Sequence, residues 1–311
     1  MMLDGLKAIP IICGPTASGK SSLALDLCRK YKGELISCDS MQIYRHLDIG
    51  TAKATREEQK EIPHHMIDII EPGTDYSVND YLTACFDAIE NVLSRGKLPV
   101  LCGGTGQYIS SLKFGIKYTD EPIPDDLVNK LYKEAETDGI DRIYSELQRM
   151  DPEAASGIHP NNIRRVIRAY SVCVATGKTF SEWNKESRTE GPRYPFILFE
   201  YDYEACRDVL YDRINKRVDQ MMDEGLLREV EYLYSLDIPR SSTCFQAIGY
   251  KEFAPYLEGQ ISLEKAIYDV KLNSRHYAKR QLTWFRYIND IVKIKPGSDD
   301  ALSIIHSYAF E

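Results

Sequence analysis

The chain has 311 residues, 43% of them hydrophobic and 28% charged, which is enough to bury a large core in one domain or two. Its formal net charge of −8 excludes a surface that is basic throughout, and no apolar run is long enough to cross a bilayer. Because the N-terminal segment also shows no signal-peptide pattern, we expect a cytoplasmic protein that acts without a membrane. We also expect it to be a monomer.

The first predicted elements are a strand over residues 8–13, the loop sequence GPTASGKS and a helical pattern. The loop matches the phosphate-loop pattern of Gly, four residues, Gly, Lys and Ser or Thr. In this context backbone N–H groups, a helix N-terminus and Lys20 converge on one anion, and Ser21 places a hydroxyl on bound magnesium. The predicted binding residues are Gly14, Pro15, Thr16, Ala17, Ser18, Gly19, Lys20 and Ser21. Any diphosphate satisfies these donors, and the alternative is a turn that only joins strand to helix.

The second predicted strand covers residues 34–38 and is followed directly by Asp39. A carboxylate at the carboxyl end of a strand near the phosphate loop either holds magnesium or acts as a general base. A third interpretation is that Asp39 or Ser40 caps the next helix. The strand over residues 98–102 is followed by three glycines and Thr105, where the backbone can approach a ligand beside a hydroxyl.

The alternation of strands and helices predicts a parallel sheet with crossover helices and with ligands at the carboxyl ends of the strands. Residues 118–191 show only helical patterns, and strand patterns return at residues 194–202 and 291–295 around a long helical pattern over 204–236. We therefore predict an α/β phosphate-loop core formed by residues 1–117 and 192–311. An all-helical insertion domain, residues 118–191, interrupts it.

The eight cysteines are scattered, and no two are separated by two residues. This distribution is typical of buried free thiols in a reducing compartment, so we expect neither disulfides nor a metal site built on cysteine.

Two groups of arginines stand out on predicted helices. Arg164, Arg165 and Arg168 lie on nearby turns of the insertion, where they form either an RNA-binding face or a solvated one. Arg213 and Arg217 are four residues apart, so one helix face presents two guanidinium groups that could clamp a leaving diphosphate. The alternative for this second pair is surface pairing with neighbouring aspartates.

Residues 270–289 contain no acidic residue, and their basic side chains alternate with aromatic ones. The basic residues are Lys271, Arg275, Lys279, Arg280 and Arg286. This composition suits a phosphate backbone and unstacked bases, whereas the alternative places the aromatic rings in the core.

One family carries these motifs in the same order. The segments GPTASGKS, CDSMQIYRHLDIGTAK, IPHHMIDI, GGTGQY, RRVIRA, GKTFSEW, AIGYKE and AKRQLTWFR together resemble the tRNA dimethylallyltransferases of bacterial type, over nearly the whole chain. Arg164 and Arg165 stand where many members have Gln-Arg. The resemblance implies transfer of a dimethylallyl group from dimethylallyl diphosphate to the exocyclic amine of adenosine 37, next to the anticodon of tRNAs that read codons beginning with U.

The same resemblance implies roles for individual residues. Asp39 is similar to the base that acts on the adenine amine, Thr105 to a hydroxyl near the bridging diphosphate oxygen, and Arg217 to a diphosphate contact. Asp39, Ser40, Met41 and Gln42 are expected to touch the target nucleotide, and Mg²⁺ is the expected cofactor. The anticodon stem-loop is expected to lie against the helical insertion and against Lys279, Arg280 and Arg286.

Two other classes of function stay open on the residues alone. The first is a phosphate-loop enzyme acting on small molecules, either a kinase or an isopentenyltransferase that uses free AMP or ATP. The second is an RNA-binding protein without catalysis, which would give no role to Lys20 and Asp39 at the ends of two strands.

Overall fold

The computed structural model describes residues 5–118 and 123–310, so the outermost residues of the predicted core and part of the predicted insertion lie outside it. The chain forms two compact units, one of Met1–Lys113 with Pro192–Glu311 and the other of Phe114–Gly191. The second unit begins at Phe114, where helix α4 (Gly106–Phe114) ends, rather than at the predicted Tyr118.

The larger unit is built on a six-stranded parallel sheet. Its strands are β1 (Ile9–Cys13), β2 (Glu34–Ser37), β3 (His64–His65), β4 (Pro99–Gly103), β5 (Phe196–Tyr201) and β6 (Ile291–Ile294), in the order β3-β2-β4-β1-β5-β6. The late strands thus join the first sheet, as predicted. The short strand β3 lies at the sheet edge, where His64 and His65 pair with β2.

Helices cover both faces of the sheet, as expected for parallel strands. In chain order they are α1 (Lys20–Tyr31), α2 (Arg56–Glu61), α3 (Val78–Ser94), α4, then, after the second unit, α10 (Arg207–Glu224), α11 (Leu226–Ser235), α12 (Ala254–Leu257), α13 (Leu263–Arg286) and α14 (Ala301–Ala309). The single helical pattern predicted over residues 204–236 is two helices. Gly225 separates them because its φ of 106° is left-handed, which ends α10.

The two central strands that lead into the candidate site are fully buried. Every residue of β1 is buried, and so is every residue of β4, which is the pattern of central parallel strands. All eight cysteines are free, and all except Cys206 are buried. Within residues 5–118 and 123–310, no helix is both long and apolar enough to cross a membrane.

The smaller unit contains helices α5 (Asp125–Thr137), α6 (Asp141–Met150), α7 (Pro152–Ser156), α8 (Ile163–Thr176) and α9 (Phe180–Glu186). Its own core includes Leu131, Ile143, Leu147 and Val166, each at most 3% exposed. Among its described residues there is no strand.

Candidate active site

The loop after β1 reverses the chain in six residues and leads directly into α1. Gly14 has φ 129° and Gly19, the N-cap residue of α1, has φ 96°, so both positions favour glycine. A Cβ at Gly14 would also lie 3.1 Å from Cγ of the buried Glu200. A strand, a loop and a helix therefore follow one another here in the predicted order.

Side chains from outside the loop hold its carbonyl oxygens. Lys20 Nζ donates to Pro15 O at 3.2 Å, Arg213 Nε to Ala17 O at 2.8 Å, and the Tyr203 hydroxyl to Ser18 O at 3.1 Å. The loop conformation is thus fixed by the protein itself. Arg213, predicted as part of a diphosphate clamp, is exposed and already bonds the loop backbone through its Nε.

A cavity of about 870 Å³ opens at the carboxyl edge of the sheet. Its lining includes Lys20, Ser21, Asp39, Arg217, Tyr277 and Arg280. The predicted lysine, serine, aspartate and one arginine are therefore brought together in one pocket. Ligands are expected at this edge of a parallel sheet.

Two cations in this cavity are poorly hydrated. Burial lowers the pKa of Lys20, and it also lowers the pKa of Arg217, although the Asp39 charge partly opposes both shifts. Nη1 of Arg217 lies 3.4 Å from Oγ1 of Thr16, at the loop. Because a desolvated cation gains more from an anion than a hydrated one does, this end of the cavity favours a negatively charged ligand.

Asp39 follows β2 and is half-buried in the cavity wall. Its Oδ1 accepts the backbone N–H of Met41 at 2.9 Å, and Oδ2 accepts no hydrogen bond within the described residues. Oδ1 therefore caps a turn, and the alternative of a helix cap at this position was wrong because no helix follows directly. The second oxygen remains available to a ligand.

The turns after β2 and β4 are tied together beside the cavity. Oγ1 of Thr105 accepts the backbone N–H of Ser40 at 3.0 Å, and the Thr105 N–H donates to Cys38 O at 3.1 Å. Gln42 uses its amide for internal bonds, to Ser37 Oγ at 2.8 Å and to Thr51 O at 3.1 Å. Ser40, Met41 and Gln42 all line the cavity, whereas Thr105 lies behind it.

The basic segment on α13 is only partly available, which corrects one expectation. Residues 270–289 have no acid of their own, but Asp219 of α10 pairs with Lys271 at 2.5 Å, and Glu204 pairs with Arg286 at 2.7 Å. The remaining exposed cations of the segment are Lys279 and Arg280. Arg286 is therefore a weaker candidate for RNA than the sequence suggested.

The arginines of α8 lie in the smaller unit. Arg164, Arg165 and Arg168 are all exposed. The Arg168 guanidinium lies 5.6 Å from the centre of the Trp183 ring. Arg164 and Arg165 occupy the first turn of α8, which Asn162 caps through its side chain.

Sequence reasoning missed Tyr277 and Gln281, which were grouped with the rest of the acid-free segment. Both residues line the cavity, and burial raises the pKa of the Tyr277 hydroxyl. The signal that could have found them is their spacing of four residues, followed by Trp284, on one face of a predicted helix.

Together the fold and the site define an α/β protein in which a glycine-containing loop, two cations and a carboxylate meet at one cavity, an arrangement that suits an anionic ligand. The family model described as IPP transferase matches residues 42–287, and that described as isopentenyl transferase matches residues 7–71. The chain belongs to the IPP transferase family.

Known relatives agree with this membership. The tRNA dimethylallyltransferase of Caldanaerobacter subterraneus subsp. tengcongensis is 46% identical over 279 residues, covering 89% of this chain and 88% of its own. The crystal structure of the tRNA isopentenylpyrophosphate transferase from Bacillus halodurans is similar with a TM-score of 0.69 at 40% identity, covering 97% of this chain and 95% of its own. A eukaryotic dimethylallyltransferase acting on tRNA superposes with a TM-score of 0.78 at 32% identity, covering 97% of this chain and 76% of its own.

Proposed function

We propose that this protein transfers the dimethylallyl group of dimethylallyl diphosphate to the exocyclic amine of adenosine 37, in tRNAs that read codons beginning with U. The observation that carries the proposal is one cavity that holds Lys20, Arg217 and Asp39. It offers cations for a leaving diphosphate and a carboxylate for a nucleophile. The names of the relatives support tRNA and a prenyl diphosphate as the two substrates.

The reaction is one displacement with balanced changes at its two ends. The adenine nitrogen forms a bond to C1 of the dimethylallyl group, and the C1–O bond breaks with its electron pair passing to diphosphate. The amine loses one proton as the new bond forms. Each end therefore needs a different kind of assistance.

At the leaving-group end, negative charge develops on the bridging oxygen. Lys20, Arg217 and the N–H groups at the start of α1 face the end of the cavity where the diphosphate would lie. Such preorganised donors stabilise developing charge without having to reorganise. The hydroxyl of Thr105, for which the family resemblance implies a contact near this oxygen, accepts the Ser40 N–H behind the cavity wall, so Thr105 would have to turn toward the cavity to take part.

At the nucleophile end, the lone pair of an exocyclic adenine amine is delocalised into the ring. We assign the general base to Asp39, whose Oδ2 accepts no other hydrogen bond in the described residues. Its Oδ1 bond to Met41 fixes the direction of the carboxylate. General-base assistance of this kind contributes roughly 10²- to 10⁴-fold in rate.

Mg²⁺ is the proposed cofactor, and the donors present fit it. No group of three His, Cys, Asp or Glu residues that could hold a metal occurs in the described part of the chain. Mg²⁺ commonly takes only one or two protein oxygens and completes its coordination with substrate phosphates and water. The Ser21 hydroxyl, which lines the cavity, would be one such oxygen, and the bound ion would neutralise charge on the diphosphate.

The acceptor base must leave its stack to reach a cavity at the sheet edge, so adenosine 37 is expected to flip. Ser40, Met41 and Gln42 line the cavity where the flipped nucleotide would enter. Lys279 and Arg280 are exposed on α13, and Arg164, Arg165 and Arg168 are exposed on α8. We propose that these cations bind the phosphates of the anticodon stem-loop.

The test supplies labelled dimethylallyl diphosphate and magnesium with either an unmodified anticodon stem-loop or free AMP. Label in the stem-loop alone supports the proposal. Labelled AMP would assign the protein to free-nucleotide prenylation, and stem-loop binding without any transfer would make it a non-catalytic RNA-binding protein. A parallel reaction with labelled ATP detects a kinase.

The variant Asp39→Asn separates chemistry from binding. The asparagine Oδ1 can still accept the Met41 N–H, so the turn is kept while the base is lost. We expect single-turnover transfer to fall by about 10²-fold or more, with stem-loop affinity unchanged. Transfer at the wild-type rate would remove Asp39 from the mechanism.

A further inference from the structure

Gln281 connects two loops that the proposed reaction uses. Its side chain is 5% exposed, and both ends of its amide are bonded. Oε1 accepts the backbone N–H of Thr16 at 2.9 Å, and Nε2 donates to Gly104 O at 2.9 Å. One side chain of α13 therefore joins the loop after β1 to the turn after β4.

Helix α13 approaches these loops so closely that a side chain at either of two glycines would have to displace a neighbour. A Cβ at Gly104 would lie 2.2 Å from Nε2 of Gln281, and a Cβ at Gly106 would lie 2.5 Å from Cδ1 of Trp284. Trp284 also donates its Nε1–H to Ser110 Oγ at 2.9 Å. This face of α13 is thus a wall of the site.

Thr16 is held from two sides, by Gln281 at its backbone N–H and by Arg217 at its hydroxyl. Its N–H points at an amide oxygen of the protein, so Gln281 acts on a ligand through the loop. Loss of the amide would leave the Thr16 N–H and the Gly104 carbonyl without these partners. Unsatisfied polar groups at such sites are costly, and the loop would move to regain partners.

We propose that Gln281 is a positioning residue that holds the loop of residues 14–19 in its diphosphate-binding conformation and thereby links α13 to that loop. This inference rests on the proposed function, since the loop ligand is taken to be a diphosphate. The same helix carries the exposed Lys279 and Arg280, so RNA docking and diphosphate binding meet on one rigid element.

Two substitutions separate positioning from packing. Q281L removes both the donor and the acceptor. Q281E keeps the acceptor for the Thr16 N–H. Its ionised form, however, has no donor for the Gly104 carbonyl and instead places a second oxygen against that carbonyl. A protonated glutamic acid restores both bonds, because it offers one carbonyl oxygen and one O–H donor.

The readout is therefore the pH dependence of two quantities. The first is the Kd for inorganic diphosphate in the presence of magnesium, measured with and without the stem-loop. The second is the KM for dimethylallyl diphosphate. Each value is divided by that of the wild type at the same pH, because other charged or titratable groups line the same cavity. These groups are Lys20, Asp39, Asp48, Lys53, Arg56, Glu58, His64, Asp68, Cys102, Arg217, Glu224, Lys251, Tyr277 and Arg280.

We expect Q281L to weaken diphosphate binding by about 10-fold or more at every pH. Q281E should show a similar loss near pH 8 and approach the wild type as the pH falls toward the range where a buried glutamate protonates. Stem-loop affinity should change less than twofold in both. Gln148→Glu, at an exposed position on α6, is the matched control and should leave every value unchanged.

Gly104→Ala gives an independent route to the same defect, because its Cβ would displace the Gln281 amide. If both changes act through one contact, the double variant G104A/Q281L should be no worse than the more severe single variant. Fully additive losses would contradict the shared contact.

Two results would overturn the inference: folded Q281L and Q281E with wild-type diphosphate affinity, or a loss confined to stem-loop affinity. Failure of the proposed function looks different, since the wild type would then bind diphosphate but transfer no prenyl group to RNA. In that case the measurement of diphosphate affinity still tests the role of Gln281. A wild-type protein that binds no diphosphate would overturn both the proposed function and the role of Gln281.

Discussion

The Tyr250 hydroxyl donates to Oε1 of Glu229 at 2.6 Å, and the same carboxylate accepts the backbone N–H groups of Asp48, Ile49 and Gly50 at 2.8–2.9 Å. The Tyr250 ring lies so close to Gly50 that a Cβ there would be 2.5 Å from its Cε2 atom. One acid of α11 therefore shapes a loop that lines the cavity.

Glu229→Ala should lower the free energy of unfolding by about 2 kcal/mol, since it leaves several donors without their charged acceptor. Urea denaturation measures the change, and Glu231→Ala, an exposed position on the same helix, is the control. Equal denaturation midpoints for the two variants would mean that the loop does not depend on this carboxylate.

Arg217 and Arg213 should differ in their effect on catalysis, although both lie on the same face of α10. Arg217 lines the cavity, whereas exposed Arg213 bonds the outside of the loop through its Nε. We expect Arg217→Gln to lower kcat/KM by about 10²-fold or more and Arg213→Gln by less than about 10-fold. A reversed order would place the diphosphate on the Arg213 side.

The positive charge of Lys20 is expected to destabilise the protein when no ligand is bound. Burial lowers its pKa, so the folded state holds this proton less tightly than the unfolded chain does. The charged form is therefore destabilising at neutral pH, and the penalty shrinks as the pH rises through the folded-state pKa toward that of an unfolded lysine.

Lys20→Met is accordingly expected to raise the unligated midpoint of thermal unfolding by roughly 2–4 °C, equivalent to about 1 kcal/mol. Diphosphate with magnesium should raise the wild-type midpoint further by mass action but leave the variant unchanged. Differential scanning calorimetry gives both values. A variant that still responds to diphosphate would show that Lys20 does not contact it.

Lys279 and Arg286 provide a test of the RNA surface by salt dependence. Lys279 is exposed, whereas Arg286 is paired with Glu204. Lys279→Gln should reduce the slope of log K against log salt for stem-loop binding by about 1, and Arg286→Gln by clearly less. Equal slopes for Lys279→Gln and wild type would place the phosphates elsewhere.

The local part of this architecture follows from sequence. Strands β1, β2 and β4 are apolar runs that end at turn residues, and the loop after β1 has a pattern specific enough to place Lys20 and Ser21. These features depend on neighbours in the chain, which is why periodicity and spacing were sufficient.

Contacts between distant segments were not predictable in the same way. Asp219 and Glu204 neutralise Lys271 and Arg286 from elements that approach α13 only in the fold. Gln281 bonds Thr16 across 265 positions of sequence. The composition of one segment does not show which acids from other segments will pair with its basic residues. The absence of acids within residues 270–289 therefore overestimates the positive charge that is exposed to solvent.

The strand order also determines when the site can assemble during synthesis. Strand β1 pairs on one side with β4 and on the other with β5, which the ribosome makes only after the whole smaller unit. Arg217 and Gln281 follow later still, and the Lys7 N–H is bonded only once Ala309 has been made. A nascent chain that has completed its phosphate-loop sequence therefore still lacks the side chains that shape this loop, so diphosphate binding is expected to appear only after nearly all of the polypeptide has been translated.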